Sequence, residues 1–168
     1  MQLIQRVGFG YDVHPFAEGR ELFLGGVKIP YSLGLLGHSD ADALIHAITD
    51  ALLGALGSSD IGVHFPNTDA AWKNARSTIF LEKIAELTRQ ADGRIVNIDA
   101  TVVAEAPKIN PHVPEMKRVM AEALGIRPEQ IGLKATTNEK MGFVGRKEGI
   151  AAFAVATIAF PQEKFDTF

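Results

Sequence analysis

The run Gly149 to Phe160, GIAAFAVATIAF, is the longest strongly apolar stretch of the chain and carries no charge. A membrane helix needs about 20 such residues, so twelve are too few to cross a bilayer. The run reads instead as a buried strand, and a strand buried on its faces must lie inside a sheet that other elements cover. A chain of 168 residues has the size of one domain, spanning 1–168, and 46% hydrophobic residues are enough for a core. Net charge is −3, which leaves no basic field for nucleic acid. The N-terminus, Met1 to Val7, has neither a long apolar core nor a cleavage signal. With no cysteine, disulfides, thiolate metal sites and cysteine nucleophiles are excluded, which suits a reducing cytoplasm.

Around that strand the pattern alternates between periods. Arg6 to His14 reads as a strand, and Leu22–Leu24 and Val27–Ile29 as a hairpin joined by Gly25-Gly26. A loop follows from Pro30 to His38. Leu44, Ala47, Ile48, Ala51, Leu52 and Ala55 recur at helical spacing, with Ser39 as the expected N-cap, Asp42 as its capping-box partner and Gly57 as the stop. A polar loop from Ser58 to Lys73 leads to a second helix over Arg76–Gln90. A strand over Ile95–Val103, a helix over Val113–Leu124 closed by Gly125, and strands over Ile131–Thr136 and Ile150–Phe160 complete the chain. This order predicts an α/β (α+β) two-layer sandwich, a mixed sheet with helices on one face. Neither G-x-G-x-x-G nor a Walker glycine loop occurs.

Four groups of residues bear chemistry. Asp12 and His14 lie two apart on a strand, so both side chains project from one face, half of a metal site. His46 lies in an otherwise apolar helix and needs a partner, which Asp42 or Asp50 at i−4 and i+4 could supply. Together Asp12, His14 and His46 make a His₂-carboxylate set, the pattern of catalytic zinc with one position open. Taken singly, these residues fit packed or surface histidines equally well. His38, Ser39 and Asp40 stand where a helix N-terminus would favour a phosphate. Lys134 to Lys140, KATTNEK, offers hydroxyls, an amide, a carboxylate and lysines for a phosphate and a hard cation, with Glu139 as the oxygen ligand; the alternative is a solvated turn. His64 and His112 read as structural or exposed, and Trp72 as core or interface.

These motifs collect into one pattern. Gly10–His14 (GYDVH), Gly25-Gly26, Gly37–Asp42 (GHSDAD) with His46, Asp60–Gly62 (DIG), Phe65–Asp69 (FPNTD), Ala104–Lys108 (AEAPK), Ala135–Lys140 (ATTNEK), Gly142-Phe143 and Gly145-Arg146 resemble the 2-C-methyl-D-erythritol 2,4-cyclodiphosphate synthases over about Arg6 to Phe160. The resemblance implies a lyase of non-mevalonate isoprenoid biosynthesis. Its substrate would be 4-diphosphocytidyl-2-C-methyl-D-erythritol 2-phosphate, whose own 2-phosphate attacks the β-phosphorus and releases CMP. It implies a cytoplasmic homotrimer with active sites between subunits. Zn²⁺ would be held by Asp12, His14 and His46, and Mg²⁺ or Mn²⁺ by Glu139 with the substrate diphosphate. His38 and Thr137 would stabilise the transition state. Asp12, His14, His38, Ser39, Asp60, Ile61, Gly62, Phe65, Pro66, Asn67, Thr68 and Asp69 would line the methylerythritol phosphate end. Ala104, Glu105, Ala106, Pro107, Lys108, Ile109 and Asn110, with Thr136, Thr137, Asn138 and Glu139, would cradle the cytidine diphosphate, and Phe143 and Arg146 would complete the site.

The sequence departs from the family pattern at Asn67 and Arg76, where aspartates are usual, and at Ala41, where glycine is usual. A phosphate attacking a phosphorus within one substrate needs charge neutralisation and positioning, not a side-chain nucleophile. A metal-dependent phosphohydrolase using the same three ligands is the alternative enzyme. A non-catalytic metal- or isoprenoid-binding module is the alternative from another class.

Overall fold

The computed structural model describes residues 2–66 and 68–165. In chain order the elements are β1 (Leu3–Ala17), β2 (Leu22–Leu24), β3 (Val27–Ile29), β4 (Gly34–Leu35), α1 (Ala43–Leu56), α2 (Ile61–His64), α3 (Thr78–Gln90), β5 (Arg94–Val103), α4 (Val113–Leu124), β6 (Ile131–Thr136), α5 (Gly142–Gly145) and β7 (Gly149–Pro161). The apolar run is β7, and it lies at the centre of a five-stranded sheet of order β4-β1-β7-β5-β6. β5 and β6 are parallel; the other neighbouring pairs are antiparallel. A parallel pair needs a crossover, and α4 supplies it. The predicted mixed sheet is therefore present. The β2–β3 hairpin stands apart as its own two-stranded sheet.

One face of the large sheet is covered by α1 against β1 and β7, α3 against β5, and α4 against β6. Leu44, Ile45, Ile48, Leu52 and Leu53 of α1 are fully buried, worth about 1.5–3 kcal/mol each. Strand alternation in β1 puts Gly8, Gly10, Asp12 and His14 on the covered side. A β-carbon on Gly8 would overlap the Ala51 carbonyl oxygen, and one on Gly10 the Ala47 carbonyl oxygen. Missing side chains at these two positions let α1 rest on the strand backbone, and that approach brings His46 down to Asp12. The other side of β1 carries Val7, Phe9, Tyr11 and Val13, which remain exposed, as do Phe153 and Val155 of β7 beside them. No helix among the described residues is long and apolar enough to cross a membrane.

Several expected boundaries move. β1 extends three residues beyond each end of the expected Arg6–His14, because its last residues pair with β4. The loop over Pro30–His38 contains β4, and the loop over Ser58–Lys73 contains α2 and a 3₁₀ turn at Ala70–Trp72. The second helix starts at Thr78, not Arg76. Ser39 is not the cap of the first helix. Asp42 is: its carboxylate accepts the Ile45 N–H at 3.0 Å, and Gly57 closes the other end at φ +74°.

Candidate active site

Three side chains from two elements converge at the N-terminal half of α1. Asp12 Oδ2 lies 2.9 Å from His14 Nε2 and 3.1 Å from His46 Nδ1, and the two imidazole nitrogens are 3.2 Å apart. Tetrahedral ligands at about 2.0–2.2 Å from zinc stand roughly 3.3–3.5 Å from one another, so this spacing is close to what one ion requires. The set fits in its protonation chemistry too. His14 Nδ1 is 2.7 Å from the Leu36 carbonyl oxygen; that oxygen only accepts, so the proton sits on Nδ1 and Nε2 keeps its lone pair. Burial pushes the Asp12 carboxyl up, but hydrogen bonds from His14 and His46 and their charge outweigh it and hold it down at about 2. Burial also works to lower His14, and the bond and charge of Asp12 outweigh it, so this imidazole titrates above its usual value.

Neither aspartate expected beside His46 is there. Asp42 turns away, accepting from Gly25 N at 3.0 Å and Gly26 N at 2.7 Å besides its capping bond. Complete burial, and then the charge of Asp40, raise it to about 6. Asp50 accepts from Ile61 N at 2.8 Å and is raised chiefly by burial. Helix register places residues i±4 on one face, yet both carboxylates find backbone donors of other segments first. The far nitrogen of His46 faces Ser77 instead, a residue that the sequence reading passed over. Ser77 opens α3, distant in the chain, and no local spacing links it to His46.

The three ligands open into a pocket of about 210 Å³, lined also by Gly37, His38, Ser39, Ile61, Gly62, Phe65, Trp72 and Phe80. His38, Ser39, Ile61, Gly62 and Phe65 were all expected there. The helix-end reading of His38 to Asp40 does not hold: the Asp42 carboxylate already occupies the α1 terminus, and a second anion there is repelled. His38 Nε2 is 3.3 Å from the Asp69 carbonyl oxygen. Ala41, in the turn between them, has φ +56°, the left-handed conformation in which the family's glycine is unstrained. Asp60 is not turned into the pocket; it caps α2, accepting from Gly62 N at 2.8 Å and Val63 N at 3.2 Å. Asp69 likewise caps the 3₁₀ turn, accepting from Ala71 N at 2.9 Å. Pro66 is half-buried and Thr68 exposed, and Asn67 lies outside the described residues. Trp72, expected as core or interface, packs against the core and forms a pocket wall edge-on to Phe65, 5.2 Å between ring centres.

A second pocket, of about 440 Å³, lies where β5 and β6 end side by side. Ala104, Glu105, Pro107, Lys108, Ile109, Asn110, Thr136 and Thr137 line it, as expected; Ala106, Asn138, Glu139, Phe143 and Arg146 do not. Glu105 ties the two loops together, accepting from Asn138 N at 2.9 Å and Lys140 N at 3.0 Å. Glu139 accepts from the Thr137 hydroxyl at 2.9 Å in a turn where Glu139 and Lys140 both take positive φ. Arg146 pairs with Glu148 at 2.6 Å on the exposed side of α5. The strand register relates the two pockets. Asp12 pairs with Ala152, Ala152 with Val102, and Val102 with Ala135. Three strand spacings of about 4.8 Å therefore put Ala135 on β6 roughly 14 Å from Asp12 on β1 within one chain.

The chain matches the model of the YgbB family over residues 5–159. It is 58% identical over 153 residues to a 2-C-methyl-D-erythritol 2,4-cyclodiphosphate synthase of Parabacteroides distasonis, covering 91% of this chain and 95% of that one. It is 54% identical over 158 residues to the bifunctional enzyme IspD/IspF of Brucella suis, covering 94% of this chain and 40% of that protein. The chain thus spans about two fifths of such bifunctional relatives. The solved CDP complex of Plasmodium falciparum IspF superposes with a TM-score of 0.80 at 38% identity, covering 92% of this chain and 95% of that one. On these grounds the chain belongs to the YgbB family.

Proposed function

We propose that the chain converts 4-diphosphocytidyl-2-C-methyl-D-erythritol 2-phosphate to 2-C-methyl-D-erythritol 2,4-cyclodiphosphate and CMP. The observation that carries the reading is the Asp12–His14–His46 set, its ligand atoms converging on one pocket. The relatives named above as synthases and the CDP complex point the same way.

In this reading Asp12, His14 and His46 hold zinc, which when bound acts as a Lewis acid on a phosphoryl oxygen and offsets the charge of the transition state. Glu139 would offer a carboxylate oxygen to a magnesium or manganese ion, which would offset charge on the substrate diphosphate. An oxygen of the 2-phosphate forms the new bond to the β-phosphorus. The bond from that phosphorus to the bridging oxygen breaks, and its electron pair leaves with CMP. His38 and Thr137 donate hydrogen bonds to the phosphoryl oxygens as charge shifts. Holding nucleophile and electrophile in one folded substrate supplies much of the rate, since effective molarities of about 10⁵–10⁸ M are reached in aligned intramolecular reactions.

The roughly 14 Å between Asp12 and β6 and the bare apolar side of β1 and β7 favour a homotrimer in which Glu139 of one chain faces the zinc ligands of the next. Phe9, 63% exposed, and Val7, 65% exposed, would be covered in it. Turnover in ¹⁸O-labelled water, followed by ³¹P NMR, tests the chemistry. The cyclase leaves both CMP and the cyclic product unlabelled; one labelled oxygen per turnover means a metal-dependent phosphohydrolase.

A further inference from the structure

Each histidine of the ligand set has a second nitrogen that must be held for the first to point correctly. His14 uses a carbonyl. His46 has two candidates, with Nε2 at 3.1 Å from Ser77 Oγ and 3.3 Å from Ser39 Oγ. Geometry alone barely separates them, but the hydroxyl protons do. Ser77 is completely buried, and its hydroxyl donates to Asp40 Oδ1. Asp40, 8% exposed, also accepts the Ser77 N–H at 2.9 Å through Oδ2 and the Asp42 N–H at 3.2 Å through Oδ1. The Arg76 guanidinium stands 3.9 Å from the same carboxylate. A serine has one proton to give. With that proton committed to Asp40, Ser77 presents only lone pairs to His46, so it accepts the Nε2–H and leaves the Nδ1 lone pair facing Asp12 and His14. Ser39 Oγ accepts the Ala41 N–H at 3.2 Å. Its own proton has no carboxylate partner and is free for a phosphate in the pocket.

We propose that the buried Asp40–Ser77 pair is the positioning device for the metal ligand His46, fixing its tautomer and ring orientation, while the nearby Ser39 hydroxyl serves the substrate. This rests on the reading that Asp12, His14 and His46 hold a divalent cation. Arg76, where the family pattern has an aspartate, belongs to the same device: it stacks on Phe23 at 4.6 Å, donates to the Gly26 carbonyl oxygen at 2.7 Å and closes the solvent side of Asp40. Partners of this kind set metal affinity by about 10–100-fold.

Zinc affinity is measured on the full chain by competition with a chromophoric chelator, and the His46 tautomer by long-range ¹H–¹⁵N NMR of the metal-free chain. Ser77→Ala is expected to lose about 10–100-fold in zinc affinity and to mix the two His46 tautomers. Asp40→Asn, whose amide donates where the carboxylate accepted, frees the Ser77 proton to face Nε2 and moves both readouts the same way. Ser39→Ala keeps zinc affinity within about threefold and keeps the Nε2–H tautomer. Should Ser77→Ala fold poorly, the NMR signature of Asp40→Asn decides. Wild-type zinc affinity and a single Nε2–H tautomer in Ser77→Ala or Asp40→Asn overturn the proposal, as does an equal loss in Ser39→Ala. A wild-type chain with no zinc affinity overturns the metal reading and this inference with it.

Discussion

The Asp12–His14–His46 pocket and the loop region from Thr136 to Glu139 differ in how they are built. In the first, Asp12 and His14 come from β1 and His46 from α1, thirty-two residues after His14, and each ring nitrogen meets a partner fixed by packing. In the second, two loops follow adjacent parallel strands, and Glu105 binds one loop to the other through backbone N–H groups. Its Glu139 is exposed and belongs to no group of three potential metal ligands among the described residues. The first group is held together by packing within the chain; in the proposed reading the second becomes a cation site only with substrate oxygens and a facing surface. Preorganised donors give affinity for the ion itself, whereas a lone carboxylate gives affinity only for the ion already bridged to phosphate.

The largest effect should come from removing a ligand of the preorganised set. His46→Ala is expected to take zinc to near zero per chain by elemental analysis, and full zinc in the variant breaks the contrast outright. Glu139→Gln is expected to keep zinc and to lower turnover by about 10²-fold, the scale of losing one electrostatic stabiliser; titration of activity against magnesium or manganese should show a weakened response. If zinc falls as well, the two regions are not independent.

Acidity should then separate them by about tenfold per pH unit. His14 titrates above its usual 6.5 because of Asp12, so a proton competes with zinc at that nitrogen. Zinc affinity is expected to be full above the raised value and to fall as pH drops through it. Asp12, held at about 2, adds nothing to this slope until far lower pH. Isothermal titration from pH 8 to 5.5 checks the sign; an affinity flat over that range removes His14 from the ligand set. The smallest effect is the one that most sharpens the comparison. If the proposed trimer shares its sites between chains, co-assembled His46→Ala and Glu139→Gln should regain about a quarter of wild-type activity, because random assembly leaves one interface in four with an intact ligand set facing an intact Glu139. No recovery on co-expression would place both halves of the site in one chain.

Much of this molecule was legible in the order of its residues. The twelve apolar residues of β7 could only be an interior strand, and the 3–4 spacing of Leu44 to Ala55 with Gly57 behind it defined α1 almost to the residue. The two-residue period put Asp12 and His14 on one side of β1, and the spaced motifs grouped them with His46, the three residues that converge in the fold. These properties are local: they depend on period, turn geometry and hydrophobic transfer, all of which act within about one element. What only the tertiary structure decided is which polar groups meet. Asp42 and Asp50 lay at the right helical spacing to support His46, yet buried backbone N–H groups of Gly25, Gly26, Ile45 and Ile61 claimed them. Ser77, from a segment with no sequence relation to His46, took that place, with Asp40 behind it. The reason is that a buried donor or acceptor left unpaired costs about 1–3 kcal/mol. The folded chain therefore assigns these carboxylates to the buried donors that tertiary packing brings beside them, and that assignment depends on contacts such as Gly10 against Ala47 that bring distant segments within reach.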